Sequence, residues 1–470
     1  MPSFLFAQNY EDIFNNFVNQ NKKQFDSFSD SINRQFAETL VANMKSFIGE
    51  APKEKDVKPK PIKQPEYSKD DDTLNKIPLI RPEELSKDTT PEVIPDTIQE
   101  ETQKPTQPQI SENLNNVSFF IFGEYICIGV KSFTAELKSI RAKDVSDFWV
   151  QLTKCDYDTL LQTCLIAREL WAYNDWAIFQ LILQITQQIF PNQYNEQAIF
   201  AVFLLNQLGL EAKVGFCQSH LFILLAIQQQ IYGISFCDIS NYRYYIVENN
   251  PQFNTRKQAF PFQTYDVAFP KKTYSFDMNV KKPIKNHTKN NINDRDTIIN
   301  ISMSMIRLFE TYPQVDIEVY ANASPSKEFC TSVEGVIKPF LKNLSEYDAV
   351  LLLLRYLQYG FDYATDDEQF GFEKPFFYEE NYYYLNNDCE DRAVLFSFLV
   401  RYLLDLDVVL IDYPGHMATA VHFKNDYQGE SVVYCGEKYI ICDPTYIGAS
   451  IGVEMPDFSP KDRVIIPIKR

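Results

Sequence analysis

The sequence predicts an α+β fold, and two observations carry that prediction. The last 83 residues read as one helix apolar on nearly every face followed by short alternating strands. The middle of the chain runs in the same order, helical patterns first and short strands after, which suits helices packed on an antiparallel sheet. At 470 residues, 45% of them hydrophobic and 14% aromatic, the chain is long enough for two or three domains with sizeable cores.

Composition removes several classes. With 45 Lys+Arg against 63 Asp+Glu the net charge is −18, the wrong sign for neutralising phosphates, so nucleic acid is not an expected partner. No stretch approaches the ~20 apolar residues of a transmembrane helix. Only 14 glycines and no sustained heptads exclude collagen-like and coiled-coil chains. Nine thinly spread cysteines are no disulfide framework, and an odd number leaves at least one thiol outside intramolecular pairing. No cofactor motif is legible.

The elements follow in order. Met1–Gln8 ends in a small residue before a polar stretch, like the last third of a signal peptide. This leaves two compartments open: export to the periplasm or envelope if it is such a remnant, and the cytoplasm if it is not. Residues 1–48 carry Phe14, Phe17, Val18, Phe25, Phe28, Ile32, Phe36, Leu40, Met44 and Phe47 at helical spacing, an amphipathic segment that needs a partner surface. Ten of the 25 prolines fall between 50 and 112 among charged and polar residues, so 49–112 is expected to be a disordered linker. Together they suggest a tether that anchors the folded body to a partner through residues 1–48. Residues 113–255 begin with a strand pair around Gly123-Glu124. Helices follow near 144–189 and 195–208, then strands near 212–217, 220–226, 232–237 and 242–248. Residues 256–344 form a connecting region with helices near 303–311 and 327–342. The last domain, 345–470, has helices near 345–360 and 388–404, then strands near 407–412, 416–424, 431–435 and 438–443.

The reactive residues sit in that last domain. Asn387-Asp388-Cys389-Glu390-Asp391-Arg392 opens the apolar helix, with Asn387 or Asp388 suited to the N-cap. Cys389 then lies in the first turn, where the helix dipole favours a thiolate and lowers the thiol pKa. His416 begins a strand after Tyr413-Pro-Gly and is placed to take the thiol proton. Asp443 closes a neighbouring strand in Cys442-Asp-Pro-Thr and can accept the second imidazole N–H. Cys to His and His to Asp are each 27 residues, compatible with a helix and a short meander.

Asp388-Cys-Glu-Asp-Arg-Ala393, Tyr413-Pro-Gly-His-Met-Ala-Thr-Ala-Val421 and Cys442-Asp-Pro-Thr-Tyr446 together resemble the transglutaminase-like superfamily, and most nearly its bacterial cysteine peptidase domains, over about residues 345–450. The resemblance implies a papain-like core with Cys389 as nucleophile, His416 as base and Asp443 as the orienting group. Amide hydrolysis, deamidation and amine transfer all occur in the superfamily, so a protein or peptide substrate is implied without its identity.

Blander readings stand beside this one. A cysteine in a buried helix is often an inert hydrophobe. Cys389, His416, Cys442 and Asp443 are the right types for zinc, but Cys442 and Asp443 are adjacent in a strand and face opposite ways, so no metal is expected. A Cys435–Cys442 disulfide fits poorly if the turn at Gly436-Glu437 pairs 435 with 438. His422 lies far along the strand from His416. The aromatic loop 363–387 reads as a cleft wall, with Gln369 as candidate oxyanion donor and Tyr384 as candidate substrate contact. Asp366-Asp367-Glu368 suits calcium by type, but a solvated charge run is the simpler reading.

The plan recurs upstream. Asn195-Glu-Gln-Ala-Ile-Phe200 aligns with Cys389-Glu-Asp-Arg-Ala-Val394, His220 follows Asn195 by 25 residues, and Glu248 follows His220 by 28. This suggests a degenerate second copy, over about 145–250, whose Asn195 cannot attack as a thiolate does. The expected function is cysteine-dependent acyl transfer on amides, hydrolysis before cross-linking or deamidation. The alternative is a non-catalytic scaffold that binds protein.

Overall fold

The computed structural model describes residues 31–55, 115–247, 250, 259–285, 299–384, 386–456, 458 and 463–469. It has two units: one takes in the chain to Lys53 and from Gln107 to Met278, the other Glu54–Thr106 and Asn279–Arg470. Residues 1–30 and 56–114, most of the expected tether and linker, lie outside the described residues.

The first unit opens with helix α1 (31–42) and strand β1 (Met44–Gly49). The hairpin β2 (Asn115–Ile121) and β3 (Glu124–Val130) follows. Next come α2 (Ala142–Leu152), α3 (Tyr157–Leu170), α4 (Asp175–Ile189) and α5 (Tyr194–Gln207). Strands β4 (Ala212–Cys217), β5 (His220–Ala226), β6 (Phe236–Ile239), β7 (Tyr242–Val247) and β8 (Phe260–Tyr265) complete it. They form one sheet in the order β1-β8-β4-β5-β7-β6, every pair antiparallel. Every residue of α5 from Gln197 to Gln207 is buried, as an all-apolar helix requires, and it lies against β4 and β5.

The partner surface needed by the amphipathic segment belongs to this chain. Ile32, Phe36, Ala37 and Leu40 are buried within the first unit, where Phe36 packs against Trp149, Tyr265 and Phe269. The helical spacing stops at Met44. From there the chain is a strand whose backbone pairs with β8, Phe47 opposite Phe262, so sheet completion overrides the helical pattern. Residues 49–55 are likewise ordered, against the linker expectation: Glu50 bridges to Phe236 and the Lys53 carbonyl accepts the Gly233 N–H at 2.8 Å.

The second unit holds α6 (Met303–Phe309), α7 (Ile317–Ala321), α8 (Lys327–Leu341) and α9 (Glu346–Gly360). Between α9 and the next long helix lie β9 (Asp362–Tyr363), α10 (Asp366–Gln369), α11 (Glu380–Tyr383) and β10 (Asn386–Asn387). The helix α12 (Cys389–Leu404) precedes β11 (Asp407–Tyr413), β12 (His416–His422), β13 (Ser431–Tyr434), β14 (Glu437–Cys442) and β15 (Val464–Pro467). The sheet order is β13-β14-β12-β11-β15, again antiparallel throughout. With β11–β15 matched to β4–β8, this is the order found in the first unit. The region 256–344, expected as a connector, divides: β8 joins the first sheet, and residues from Asn279 belong to the second unit.

Two local expectations are corrected. The β13–β14 turn is Cys435-Gly436, both at positive φ (52° and 87°), and it pairs Tyr434 with Glu437. Two successive left-handed residues favour this tight hairpin over the register one residue along. The acidic run is not wholly solvated: Asp366, first residue of α10, is buried. All nine cysteines are free thiols.

The aromatic loop is structured from within. β9 and β10 pair in parallel, Asp362 opposite Asn386, and bring its two ends together. At its centre the buried Glu379 carboxylate accepts the N–H groups of Ser302 and Ser326, each at 2.7 Å. These serines are the N-caps of α6 and α8, so one carboxylate joins the loop to two helix starts. Replacing Glu379 with Ala would leave two buried donors unpaired. We expect Glu379→Ala to destabilise the second unit by about 2–4 kcal/mol, read as a lower urea midpoint for hydrogen-exchange protection in α6 and α8. A midpoint within error of wild type would contradict this role.

Candidate active site

The start of α12 is held by a reciprocal cap. The Asp388 carboxylate accepts the N–H groups of Glu390 (3.0 Å) and Asp391 (3.3 Å), while Asp391 accepts the Asp388 N–H at 3.1 Å. This is the capping-box arrangement with aspartate at both positions. It makes Cys389 the first helical residue, and packing of α12 on β12 leaves the cysteine 1% exposed. Its sulfur receives the backbone N–H of Met417, the residue after His416.

His416 starts β12 after a turn through Pro414 and Gly415, the latter at φ 75°. Its ring is stacked at 5.0 Å on Phe458 and at 6.0 Å on Tyr413. Its Nε2 meets Asp443 Oδ2 at 2.8 Å, so with the carboxylate accepting, Nε2 carries the proton and Nδ1 is left as a base. Asp443 is held in turn: Oδ1 accepts the N–H groups of Thr445 (2.9 Å) and Tyr446 (3.0 Å). Behind it, the buried Gln358 amide donates to the carbonyls of Asp443, Tyr446 and Ala449. A helix start, a strand start and a strand end thus bring the three candidate residues to one buried place.

The electrostatics differ from the sequence expectation. Burial pushes the Cys389 thiol well above its usual value; the Asp388 and Glu390 carboxylates push it the same way, and the Met417 N–H only partly opposes them. The dipole argument counted the helix and not the acids that cap it. The Cys389 thiol is thereby held a weaker acid than an ordinary cysteine.

The capping acids belong to a larger cluster. Asp366, Glu373 and Asp388 each place a carboxylate oxygen within 4.8 Å of the others. Burial and the neighbouring Glu373 and Glu390 push Asp366 up to about 7, although it accepts the Lys374 N–H. Burial and mutual repulsion raise Asp388 and Asp391 as well. Asp388 Oδ2, Asn387 Oδ1 and Glu390 Oε2 are buried with no hydrogen-bond partner among the described residues. Lys55, assigned to the linker by composition, forms an ion pair with Glu390 Oε1. The three clustered carboxylates are also the donor type a hard divalent cation would accept. Among the described residues no comparable group forms around Cys389, His416, Cys442 and Asp443, the zinc set considered from sequence.

The remaining candidates are less central. Gln369 is half-buried at the end of α10, its Oε1 without a hydrogen-bond partner among the described residues. Tyr384 packs against Phe370 and Phe376 with the Lys374 ammonium 5.0 Å from its ring, which makes it part of a packed wall. Sequence reasoning passed over Glu373, Lys55, Tyr363 and Arg392. The Arg392 guanidinium is wholly buried, 5.4 Å from the Tyr363 ring, and donates to the Phe361 carbonyl. Its signal was an arginine one turn after Cys389, directly ahead of the apolar run 393–396. His422 is engaged elsewhere, its Nδ1 3.0 Å from the Lys438 carbonyl.

In the first unit, Asn195 lies in the first turn of α5. Its Oδ1 accepts the N–H of Leu221, the residue after His220, at 2.8 Å, and its Nδ2 donates to the Ser219 carbonyl. This parallels the Cys389–Met417 contact. His220 Nδ1 lies 3.2 Å from Asn250 Nδ2; Glu248 lies outside the described residues.

No protein-family model, curated protein or solved structure matches the chain.

The crowded carboxyls set a pH dependence. A carboxyl that is a weaker acid in the fold than in the open chain binds its proton more tightly when folded. The stability it contributes is complete below about pH 4 and is lost as pH rises through about 7. In chelator-treated buffer, the second unit should gain on the order of 5 °C in thermal midpoint between pH 8 and pH 5.5. Asp366→Asn should remove much of that gain. A midpoint that falls on acidification, or an unchanged slope in the variant, would count against the cluster.

Proposed function

We propose that the protein is a cysteine-dependent acyl-transfer enzyme acting on amide bonds in a protein or peptide, with Cys389 as nucleophile, His416 as general base and Asp443 as the group that orients the imidazole. The observation that carries this reading is the His416–Asp443 pair, 2.8 Å apart and buried, at the strand start whose next N–H reaches the Cys389 sulfur. A merely structural histidine gains little from a buried carboxylate, which is costly to desolvate. A base that must become an imidazolium gains a great deal.

The chemistry follows from the protonation states. As the sulfur attacks the amide carbonyl carbon, the thiol proton passes to His416 Nδ1, and Asp443 stabilises the imidazolium. The carbonyl oxygen becomes an oxyanion, for which the Cys389 N–H and the Gln369 amide are candidate donors, the N–H groups of Glu390 and Asp391 being committed to Asp388. Collapse breaks the C–N bond, the imidazolium returns the proton to the leaving amine, and a thioester remains on Cys389. Water then releases the acid, or a second amine takes the acyl group.

The motif resemblance agrees with a transglutaminase-like core. A duplicated origin is supported by the common strand order and by the matching contacts of Cys389 and Asn195. In that reading Asn195, bonded through both amide ends, marks the first unit as the inert copy. A second reading, a non-catalytic scaffold, is favoured by one observation: Cys389 is buried, and that burial makes its thiol a weaker acid.

Acylation by an activated ester separates the two without a natural substrate. With p-nitrophenyl acetate at pH 7.5, the enzyme reading expects a burst of p-nitrophenolate and one acetyl mass mapped to Cys389. The burst should vanish in Cys389→Ala and fall about 10²–10⁴-fold in rate in His416→Ala. An unmodified Cys389, or acetylation indifferent to His416, would sink the enzyme reading and leave the scaffold.

A further inference from the structure

Residues 51–55 form neither helix nor strand, and they end with Lys55 set into the acids at the start of α12. The Lys55 ammonium pairs with Glu390 Oε1, and Asp388 and Glu373 lie near enough to attract the same charge. The Lys55 side chain is only 21% exposed, an unusual degree of cover for a lysine in a segment of this composition. Yet its hydrogen bonding is incomplete. An ammonium has three donors, and among the described residues its one hydrogen bond is to Glu390. Asp388 Oδ2 and Glu390 Oε2, both buried, have no hydrogen-bond partner among the described residues. Asp388 itself is 1% exposed.

Burying several carboxylates around one cation is an expensive way to fasten a strap, because each acceptor left unmade keeps its desolvation cost. The same arrangement is well suited to a site that must select an ammonium and release it. The acids also flank the nucleophile in the chain, since Cys389 lies between Asp388 and Glu390.

We propose that Asp366, Glu373, Asp388 and Glu390 form a subsite for a lysine side chain of a bound peptide, and that Lys55 occupies it in cis as an internal competitor. This deepens the acyl-transfer reading, on which it rests for the role of Cys389, by giving the substrate class: a peptide with a lysine close to the reacting amide. Lys55 then lowers the apparent affinity for substrate, because a covalently attached competitor acts at a high effective concentration. The remaining buried acceptors become partners for a lysine that the strap does not hold at a fixed distance.

The test is binding, so that it does not depend on turnover. In the full-length Cys389→Ala protein and in chelator, fluorescence anisotropy compares a labelled octapeptide containing one lysine with its norleucine twin, which matches the stem and lacks the charge. Adding Lys55→Ala should tighten the lysine peptide at least tenfold and leave the norleucine peptide unchanged. Adding Glu390→Gln should then remove the gain. Lys55→Gln, which keeps a polar side chain at that position, should repeat the Lys55→Ala result and guards against a folding defect in one variant. Equal gains for both peptides would mean that the strap covers a groove without charge selection, and no gain for the lysine peptide would mean that Lys55 is only a fastening; either overturns the proposal. If lysine-selective binding appears while ester acylation of Cys389 fails, the enzyme reading falls and the subsite stands. If acylation succeeds without lysine selectivity, the reverse holds.

Discussion

The second unit is organised by the need to bury the N-terminus of α12. A helix apolar on nearly every face has little solvent side, and the residues from Asp391 to Val400 go inside together with Cys389. Buried N–H groups at a helix start require acceptors, and here they are the carboxylates of Asp388 and Asp391. Those charges enter the protein with the helix, and much of the loop between α9 and α12 answers to them. Asp391 accepts the Phe376 N–H at 2.8 Å. Lys374 forms an ion pair with the buried Glu380 while its backbone N–H goes to Asp366. The same cause raises the Cys389 thiol, since the acids that cap the helix also flank the sulfur.

This explains what could be read in the sequence and what could not. Features with a local cause were legible. The mostly apolar circumference of α12, the apolar runs in β11, β12 and β14, and the order of Cys389, His416 and Asp443 can all be read along the chain. Features with a distant cause were not. Asp366 sits in an acidic run, and only its meeting with Asp388, a residue of another element, buries it. Lys55 belongs by composition to a polar linker; its neighbour Glu390 lies on α12. Met44–Gly49 continues a helical spacing, and only the partner strand β8 makes it a strand. β15 is short, ends in proline and pairs with β11 across a long separation, so no local pattern announces it.

The two units meet the same local requirement with different chemistry. In α5 the first-turn side chain that reaches the next strand is an amide, satisfied at both ends by backbone groups on either side of His220. In α12 the corresponding group is a thiol, which receives the Met417 N–H and stays a weak acid. An amide satisfied at both ends stabilises the junction of helix and sheet. A thiol does this poorly, because sulfur is a weak acceptor and S–H a weak donor.

The weak acidity of the thiol also bears on how such a site would work. A thiolate formed in advance needs a positive surround, whereas Cys389 lies between two carboxylates. In this field an anion on sulfur is disfavoured, so in the proposed acyl transfer the thiol proton would leave as the sulfur attacks. That places the burden on His416, and explains why its orientation is over-determined: a carboxylate on Nε2, aromatic rings against its face, and a Gln358 amide fixing the loop that holds the carboxylate. A site built for binding alone would have no need to fix an imidazole from three directions, and this is the strongest physical reason to prefer chemistry at Cys389 over a scaffold.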